Sequence, residues 1–149
     1  MSETHVPSFR QYFKGMFSGI LQWQQLDELW DTVRTKPTGW YIYLVDETIP
    51  QMPADTSTLQ QFIVDTDALL RQEHDYDYCG IVYVDNKAEP NMIKIFDPNN
   101  LGAVCGSSGS VVLPRWILTR IPPESLVDKP TEQMGYKRWW NTLLPKRSK

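Results

Sequence analysis

Residues 81–96 read Ile81-Val-Tyr-Val-Asp-Asn-Lys-Ala-Glu-Pro-Asn-Met-Ile-Lys-Ile-Phe96. Two short runs of branched and aromatic residues stand on either side of a polar connection, Asp85–Asn91. Such runs are typical of β-strands, and a connection of this length suits a loose hairpin. The stretch therefore predicts two antiparallel strands, near 79–85 and 91–97.

Two further strands are predicted on either side of this hairpin along the chain. Residues 40–46 are aromatic or branched on both faces, which indicates a strand that is covered on both sides and lies centrally in the sheet. Residues 111–119 form another apolar run, interrupted by Pro114. Because proline has no N–H to donate to a neighbour, this strand is expected to bend there and to lie at an edge or a bulge.

The first helical pattern covers residues 8–34. Ser8 and Gln11 have the spacing of a capping box, in which each side chain bonds a free amide of the first helical turn. Apolar residues then recur at helical spacing up to residue 33. Ser18 and Gly19 mark the place where this stretch would divide into two helices, because glycine weakens a helix interior.

Two more helices are predicted further along the chain. Residues 57–72 carry one apolar stripe after a second capping pair, Ser57 and Gln60. Residues 132–144 form an amphipathic helix with a stripe made by Tyr136, Trp139, Trp140, Leu143 and Leu144.

These elements define an α+β fold. About four mainly antiparallel strands form a sheet, and two to three amphipathic helices pack on it. A chain of 149 residues has the commonest size for one domain, so residues 1–149 are expected to share a single core. Residues 1–7 and 145–149 are expected to be frayed ends.

The chain has the features of a cytoplasmic protein. Its longest apolar runs have the length of a strand, far below the roughly 20 residues that a bilayer crossing needs. Its first residues lack the basic and apolar stretches of a secretory signal. Only two cysteines occur, 26 positions apart, which favours reduced thiols over a disulfide framework.

Charge is distributed unevenly along the sequence. Residues 40–100 carry eleven acidic and three basic side chains, a balance of −8. Residues 101–149 carry three acidic and eight basic ones, a balance of +5. The basic tail can fold back on the acidic middle or steer a partner, while the acidic middle disfavours nucleic acid because it repels phosphates.

A loop rich in glycine and serine, residues 102–110, is the most unusual segment. Glycines permit the backbone conformations that present successive amides to an anion, so this loop is either a binding loop or an ordinary surface connection. It lacks the lysine of a nucleotide-binding P-loop, and a strand pattern follows it in place of a helix. The candidate binding residues are Gly106, Ser107, Ser108 and Gly109.

Cys105 in the same loop is the candidate nucleophile. Its thiolate needs a base, and His74 is placed among the carboxylates of Glu73, Asp75 and Asp77 in sequence. A surface histidine at a helix end is the alternative interpretation of His74. In a hydrolase version of this site, Ser107 or Ser108 would replace the cysteine.

No metal site and no cofactor are predicted. The two histidines and two cysteines lie at positions 5, 74, 79 and 105, without the short paired spacing of zinc sites. Cys79 precedes Gly80 at the start of an apolar strand, where a small buried side chain is expected.

Trp139 and Trp140 lie among lysines and arginines in the C-terminal helix. This pattern is found where a stripe packs on its own domain, and also where aromatic side chains anchor a partner protein, a membrane surface or a single-stranded nucleic acid.

Three functions follow from these observations. The first is a non-catalytic accessory protein that binds another protein, because the polar groups of a catalytic centre are scattered. The second is a small thiol-dependent enzyme that uses Cys105 and His74. The third is a nucleic-acid binder that uses the basic, aromatic tail.

Overall fold

The computed structural model describes residues 8–74, 76–99 and 113–126. They form three helices and five strands, so the predicted α+β class is confirmed, with one strand more than expected. In chain order the elements are α1 (Phe9–Phe13), β1 (Ser18–Ile20), α2 (Trp23–Thr35), β2 (Tyr41–Leu44), α3 (Thr56–Glu73), β3 (Val82–Val84), β4 (Met92–Ile95) and β5 (Trp116–Thr119).

The five strands form one sheet in the order β1-β3-β4-β5-β2, and each neighbouring pair is antiparallel. The predicted hairpin is confirmed, with Tyr83 of β3 opposite Lys94 of β4. Asp85 closes its connection, because Oδ1 accepts hydrogen bonds from the backbone amides of Asn91 at 2.8 Å and Met92 at 3.0 Å. The turn chemistry visible in the sequence thus fixes the register of the hairpin.

The predicted division of residues 8–34 into two helices at Ser18 and Gly19 is confirmed, but residues 14–22 between the helices are not helical, contrary to the prediction. The Ser8 capping box is present, but α1 ends after five residues and Ser18–Ile20 form a strand that pairs with β3. Gly19 lies opposite Tyr83, and a Cβ at this glycine would stand 3.2 Å from the tyrosine ring. Pairing with a distant strand overrode a helical apolar spacing, which is a local preference only.

β2 is the last strand of the described sheet and not a central one, so that prediction is also wrong. Its C-terminal end is nevertheless covered on both faces, since Tyr43 and Leu44 are both buried and belong to different apolar clusters. β5 takes the interior place between β4 and β2. Pro114 precedes β5 and lies outside it, so every residue of this interior strand has an N–H to donate.

The larger core lies between the sheet and the two longer helices. Side chains of α2 and α3 pack on one sheet face, where Phe62 meets Trp116 edge to face with ring centroids 6.2 Å apart. Trp30 of α2 is buried, and its indole N–H donates to Asp67 of α3 at 3.0 Å. This bond satisfies the one polar atom of a large buried side chain and joins the two helices.

α1 covers the opposite sheet face. Phe9 packs on Tyr43, and Lys94 of β4 donates from Nζ to the carbonyl of Phe13 at 2.9 Å. The Lys94 ammonium also stands 4.0 Å from the ring centroid of Phe13 and 3.8 Å from that of Phe17. Burial lowers the pKa of Lys94. A short helix is thus held by one charged group and aromatic packing.

Several predictions fall outside the described residues. They are the helix at 132–144, the loop at 102–110 and the frayed ends at 1–7 and 145–149. The single-domain organisation remains a prediction. Among the helices that the structure describes, none has both the length and the apolar character required for crossing a membrane.

The start of α3 provides a test of the fold. Asp55, and not Ser57 as the capping pair in the sequence indicated, is the N-cap, and its Oδ1 accepts from the amide of Thr58 at 2.8 Å. Asp55→Ala should lower the free energy of unfolding by about 1 kcal/mol. Ser57→Ala, inside the first turn and exposed, should change it by less than about 0.5 kcal/mol. Urea unfolding measures both, and equal losses would contradict this N-cap.

Candidate functional site

Exposed apolar side chains concentrate around β1 in the described part of the chain. Met16 lies just before β1 and is 89% exposed, and Leu21, just after it, is 57% exposed. Tyr83 is exposed opposite Gly19, while Tyr76 and Tyr78 come shortly before the segment that bonds the end of β1. Among the described residues, the region around β1 is therefore a candidate for contact with another molecule.

Four rings from two parts of the chain meet beside the end of β1. We name the group formed by Trp23, His74, Tyr76 and Tyr78 the aromatic surface. Trp23 is the first residue of α2, and His74 is the C-cap of α3. The Tyr76 and Tyr78 rings lie edge to face with centroids 5.7 Å apart. Their side chains remain 58% and 51% exposed, respectively.

His74 is the buried part of the aromatic surface, so its interpretation as a surface histidine is wrong. Its ring stacks on Tyr76 with a centroid distance of 4.6 Å and meets Tyr78 and Trp23 edge on, at 6.2 Å and 6.3 Å. Its Nε2 is buried and has no hydrogen-bond partner among the described residues. Within that part of the chain, the imidazole supports the two tyrosines by packing.

Arg71 holds the Trp23 side of the aromatic surface. Its guanidinium carbon stands 5.0 Å from the Trp23 ring centroid, and Nε lies 3.0 Å from both carboxylate oxygens of Asp67. A second nitrogen donates to Asp27 at 2.7 Å. Because Asp67 also accepts from Trp30, this network joins α2 to α3. The charge of Arg71 is compensated by two carboxylates.

Backbone bonds fix the segment that carries the tyrosines. The Trp23 indole donates to the carbonyl of Tyr76 at 2.9 Å, and the amide of Cys79 donates to Leu21 at 2.7 Å. Gly80 has a φ of +72°, and a Cβ there would stand 3.1 Å from the Tyr78 ring. Glycine thus permits both the backbone turn and the close approach of Tyr78. Tyr76 and Tyr78 are thus exposed, while the bond from Trp23 holds their segment against the start of α2.

Two clefts adjoin the hairpin connection, one on the side of α1 and the other on the side of α2. The first, of about 430 Å³, contains Tyr12, Asp85 and Asn91. The phenol of Tyr12 donates to Asp85, and burial, reinforced by this bond to the carboxylate, raises the pKa of Tyr12. The other oxygen of Asp85 accepts hydrogen bonds from the two hairpin amides, so its carboxylate has a structural role.

The second cleft, of about 320 Å³, lies between α2 and the hairpin connection and includes Glu28 and Lys87. The described residues that line it include neither a cysteine nor a histidine. The described residues also hold no group of three or more histidines, cysteines or carboxylates arranged for a metal ion. The geometry of the clefts supports no catalytic assignment.

The predicted thiol site is only partly described. Of its residues the structure places His74, while Cys105, Gly106, Ser107, Ser108 and Gly109 lie outside the described residues, as do Trp139 and Trp140. Cys79 is buried, as predicted, and is a free cysteine in the described part of the chain. Burial raises the pKa of its thiol. A raised pKa disfavours the reactive thiolate.

Sequence reasoning missed Trp23, Tyr76 and Tyr78 as a candidate binding group. The sequence did contain a signal for this group, the tyrosine-rich run after His74, directly beyond the last residues of a clear helix. That run has neither helical nor strand periodicity, so it predicted only a connection. The approach of Trp23, from 53 positions away in sequence, was not visible.

Comparison of the chain with known protein families, with curated proteins and with solved structures finds no match in any of the three. The geometry of the described residues is therefore the basis for a functional assignment.

The Arg71 network should contribute measurably to stability. Arg71→Gln removes the bonds to Asp67 and Asp27, and we expect a loss of about 1–2 kcal/mol in the free energy of unfolding after allowance for partial exposure. Arg34→Gln, which removes the exposed pair with Asp31, should cost less than about 0.5 kcal/mol. Urea unfolding followed by tryptophan fluorescence measures both. A smaller loss for Arg71→Gln than for Arg34→Gln would refute the network.

The Cys79 thiol should be unreactive in the folded protein. Its raised pKa and its burial predict alkylation by iodoacetamide at pH 8 that is at least about tenfold slower than in denaturant. Mass spectrometry of the peptide that contains Cys79 measures the rate separately from that of Cys105. Equal rates in the folded and denatured chain would show that the thiol is accessible.

Proposed function

We propose that this chain is a non-catalytic protein-binding module, and that the aromatic surface together with Leu21 is its contact site. The supporting observation is that Tyr76 and Tyr78 are more than half exposed although hydrogen bonds and ring contacts hold their segment in place. A large apolar side chain that is ordered and exposed gains most from being covered by a partner.

The chemistry of this surface is that of a binding hot spot. Tyrosine and tryptophan contribute disproportionately to protein–protein affinity, because they bury large areas while losing few rotatable bonds. His74 and Arg71 limit the motion of the rings before any partner arrives. Binding therefore costs less conformational entropy than it would with flexible side chains.

Charge indicates which kind of protein fits. Glu73 and Asp77 form an exposed acidic rim beside the aromatic surface, while the neighbouring cation, Arg71, is already paired with Asp67 and Asp27. A partner segment with lysine or arginine would be attracted to this rim. A second copy of the chain would bring the same acidic rim to the contact, so self-association through this surface is disfavoured.

The other two hypotheses gain no support from the described geometry. An acidic rim is the wrong electrostatic setting for phosphates, which argues against nucleic acid. His74 has no carboxylate bonded to its ring among the described residues, and its burial among aromatic rings suits packing. The free thiol of Cys79 is compatible with a reducing compartment, so the proposal places the protein in the cytoplasm.

Replacing the exposed rings tests this proposal. We expect the full-length protein to capture a partner from extract of its own cells, and the identified, purified partner to bind it directly in calorimetry. Tyr76→Ala/Tyr78→Ala should weaken that binding at least about tenfold, because two rings of a hot spot are lost.

The matched control is Val64→Ala. Val64 is 55% exposed on α3 and lies outside the aromatic surface, so its replacement should leave the affinity unchanged. Circular dichroism must show that each variant is folded. If folded Tyr76→Ala/Tyr78→Ala binds the partner as the original chain does, the proposed contact site is wrong.

A further inference from the structure

We infer that the aromatic surface recognises an extended, proline-containing segment of a partner protein that carries lysine or arginine beside its prolines. This inference rests on the proposed function and specifies the chemistry of the partner. It is carried by three observations: the arrangement of the rings, the hydrogen bonds already made by the backbone around them, and the acidic rim.

The first observation is the arrangement of the two tyrosine rings. Tyr76 and Tyr78 lie at an interplanar angle of 69° with centroids 5.7 Å apart, so one ring turns an edge towards the face of the other. The two rings together therefore present a flat apolar ring face with a ring edge beside it. Proline rings are compact, conformationally restricted and apolar, and polyproline segments dock on surfaces lined by aromatic side chains.

The second observation concerns the backbone. The amides of Cys79 and Gly80 already donate to Leu21 and Ile20, and the amide of Tyr76 donates to His74. These groups are not available to a peptide that binds by adding a strand. At these three positions a ligand would be recognised by side chains, which is how polyproline segments are bound, since they make no internal or strand-type hydrogen bonds.

The tyrosine hydroxyls supply the polar part of such recognition. The Trp23 indole N–H is occupied by the carbonyl of Tyr76, whereas the hydroxyls of Tyr76 and Tyr78 make no hydrogen bond to any described residue. Each can donate to a ligand carbonyl. The carbonyls of a polyproline helix point outward and are free to accept, so donors and acceptors match.

The third observation is the acidic rim. Glu73 comes before the tyrosines in sequence and Asp77 lies between them, and both carboxylates are exposed. A lysine or arginine next to the ligand prolines can approach these carboxylates while the prolines cover the rings. The attraction acts between exposed charges, so it sets the direction of the bound segment and weakens with salt.

Fluorescence anisotropy with synthetic peptides tests this inference. The probes are fluorescein-labelled Ala-Pro-Pro-Leu-Pro-Pro-Arg-Pro-Arg-Lys and the same peptide with its basic residues moved to the amino end, so that both directions are sampled. At least one should bind the full-length protein saturably. Replacing its prolines by alanine, or its basic residues by glutamate, should each weaken binding at least about tenfold.

Variants of the protein locate the site. Tyr78→Ala should weaken binding of the peptide at least about tenfold, whereas Val64→Ala should leave it unchanged. Glu73→Gln/Asp77→Asn should reduce both the affinity and its dependence on salt, while the folded state is checked by circular dichroism.

The outcomes separate this inference from the proposed function. If neither proline peptide binds, or if the alanine version binds equally well, the inference is overturned. Loss of the cellular partner in Tyr76→Ala/Tyr78→Ala would still support the binding module. If the peptides bind only to full-length Trp139→Ala/Trp140→Ala, the chain's own tail is the occupant, which also overturns the inference.

Discussion

Pairing between β1 and the segment from Gly80 to Val84 is the constraint on which the rest of the structure depends. It takes Ser18–Ile20 out of a helical pattern and ends α1 early. It also carries the chain directly from the sheet into α2, so that Trp23 meets the residues after α3. Without this pairing, Trp23 would not be held beside the residues that follow α3.

The polar network beneath that surface complements the pairing. Arg71 contacts Trp23 from α3, while Asp67 accepts from both Arg71 and Trp30. Each of these groups is partly shielded from water and has found a partner, which is the condition under which polar groups strengthen a fold. The same contacts that stabilise the packing of α2 on α3 also position the exposed rings.

Local features could be predicted from the sequence, and distant ones could not. The hairpin, α3 and the Ser8 capping box depend on residues a few positions apart, and all three are present. The strand β1 and the terminal place of β2 depend on partners tens of residues away. The helical spacing of apolar residues was misleading for β1, and the apolar residues on both faces were misleading for β2. The aromatic surface has the same origin. Its tyrosines and its tryptophan come together only because β1 and α3 are already in place, so no periodicity in the sequence could predict it.

The shortness of β1 has a consequence for how the protein behaves at high concentration. Ile20 directs its carbonyl towards Gly80, and residues of an antiparallel strand alternate in direction, so among the three residues of β1 only Gly19 turns its N–H and C=O outward. A strand from another molecule that approached this edge of the sheet would meet the N–H and C=O of Gly19 beside the exposed side chain of Tyr83. One residue is too little to start a continuous β-ladder. Short edge strands of this kind are one way in which sheet proteins avoid fibril growth. Although exposed apolar side chains lie near β1, this edge of the sheet thus offers strands of other molecules almost no backbone template for aggregation.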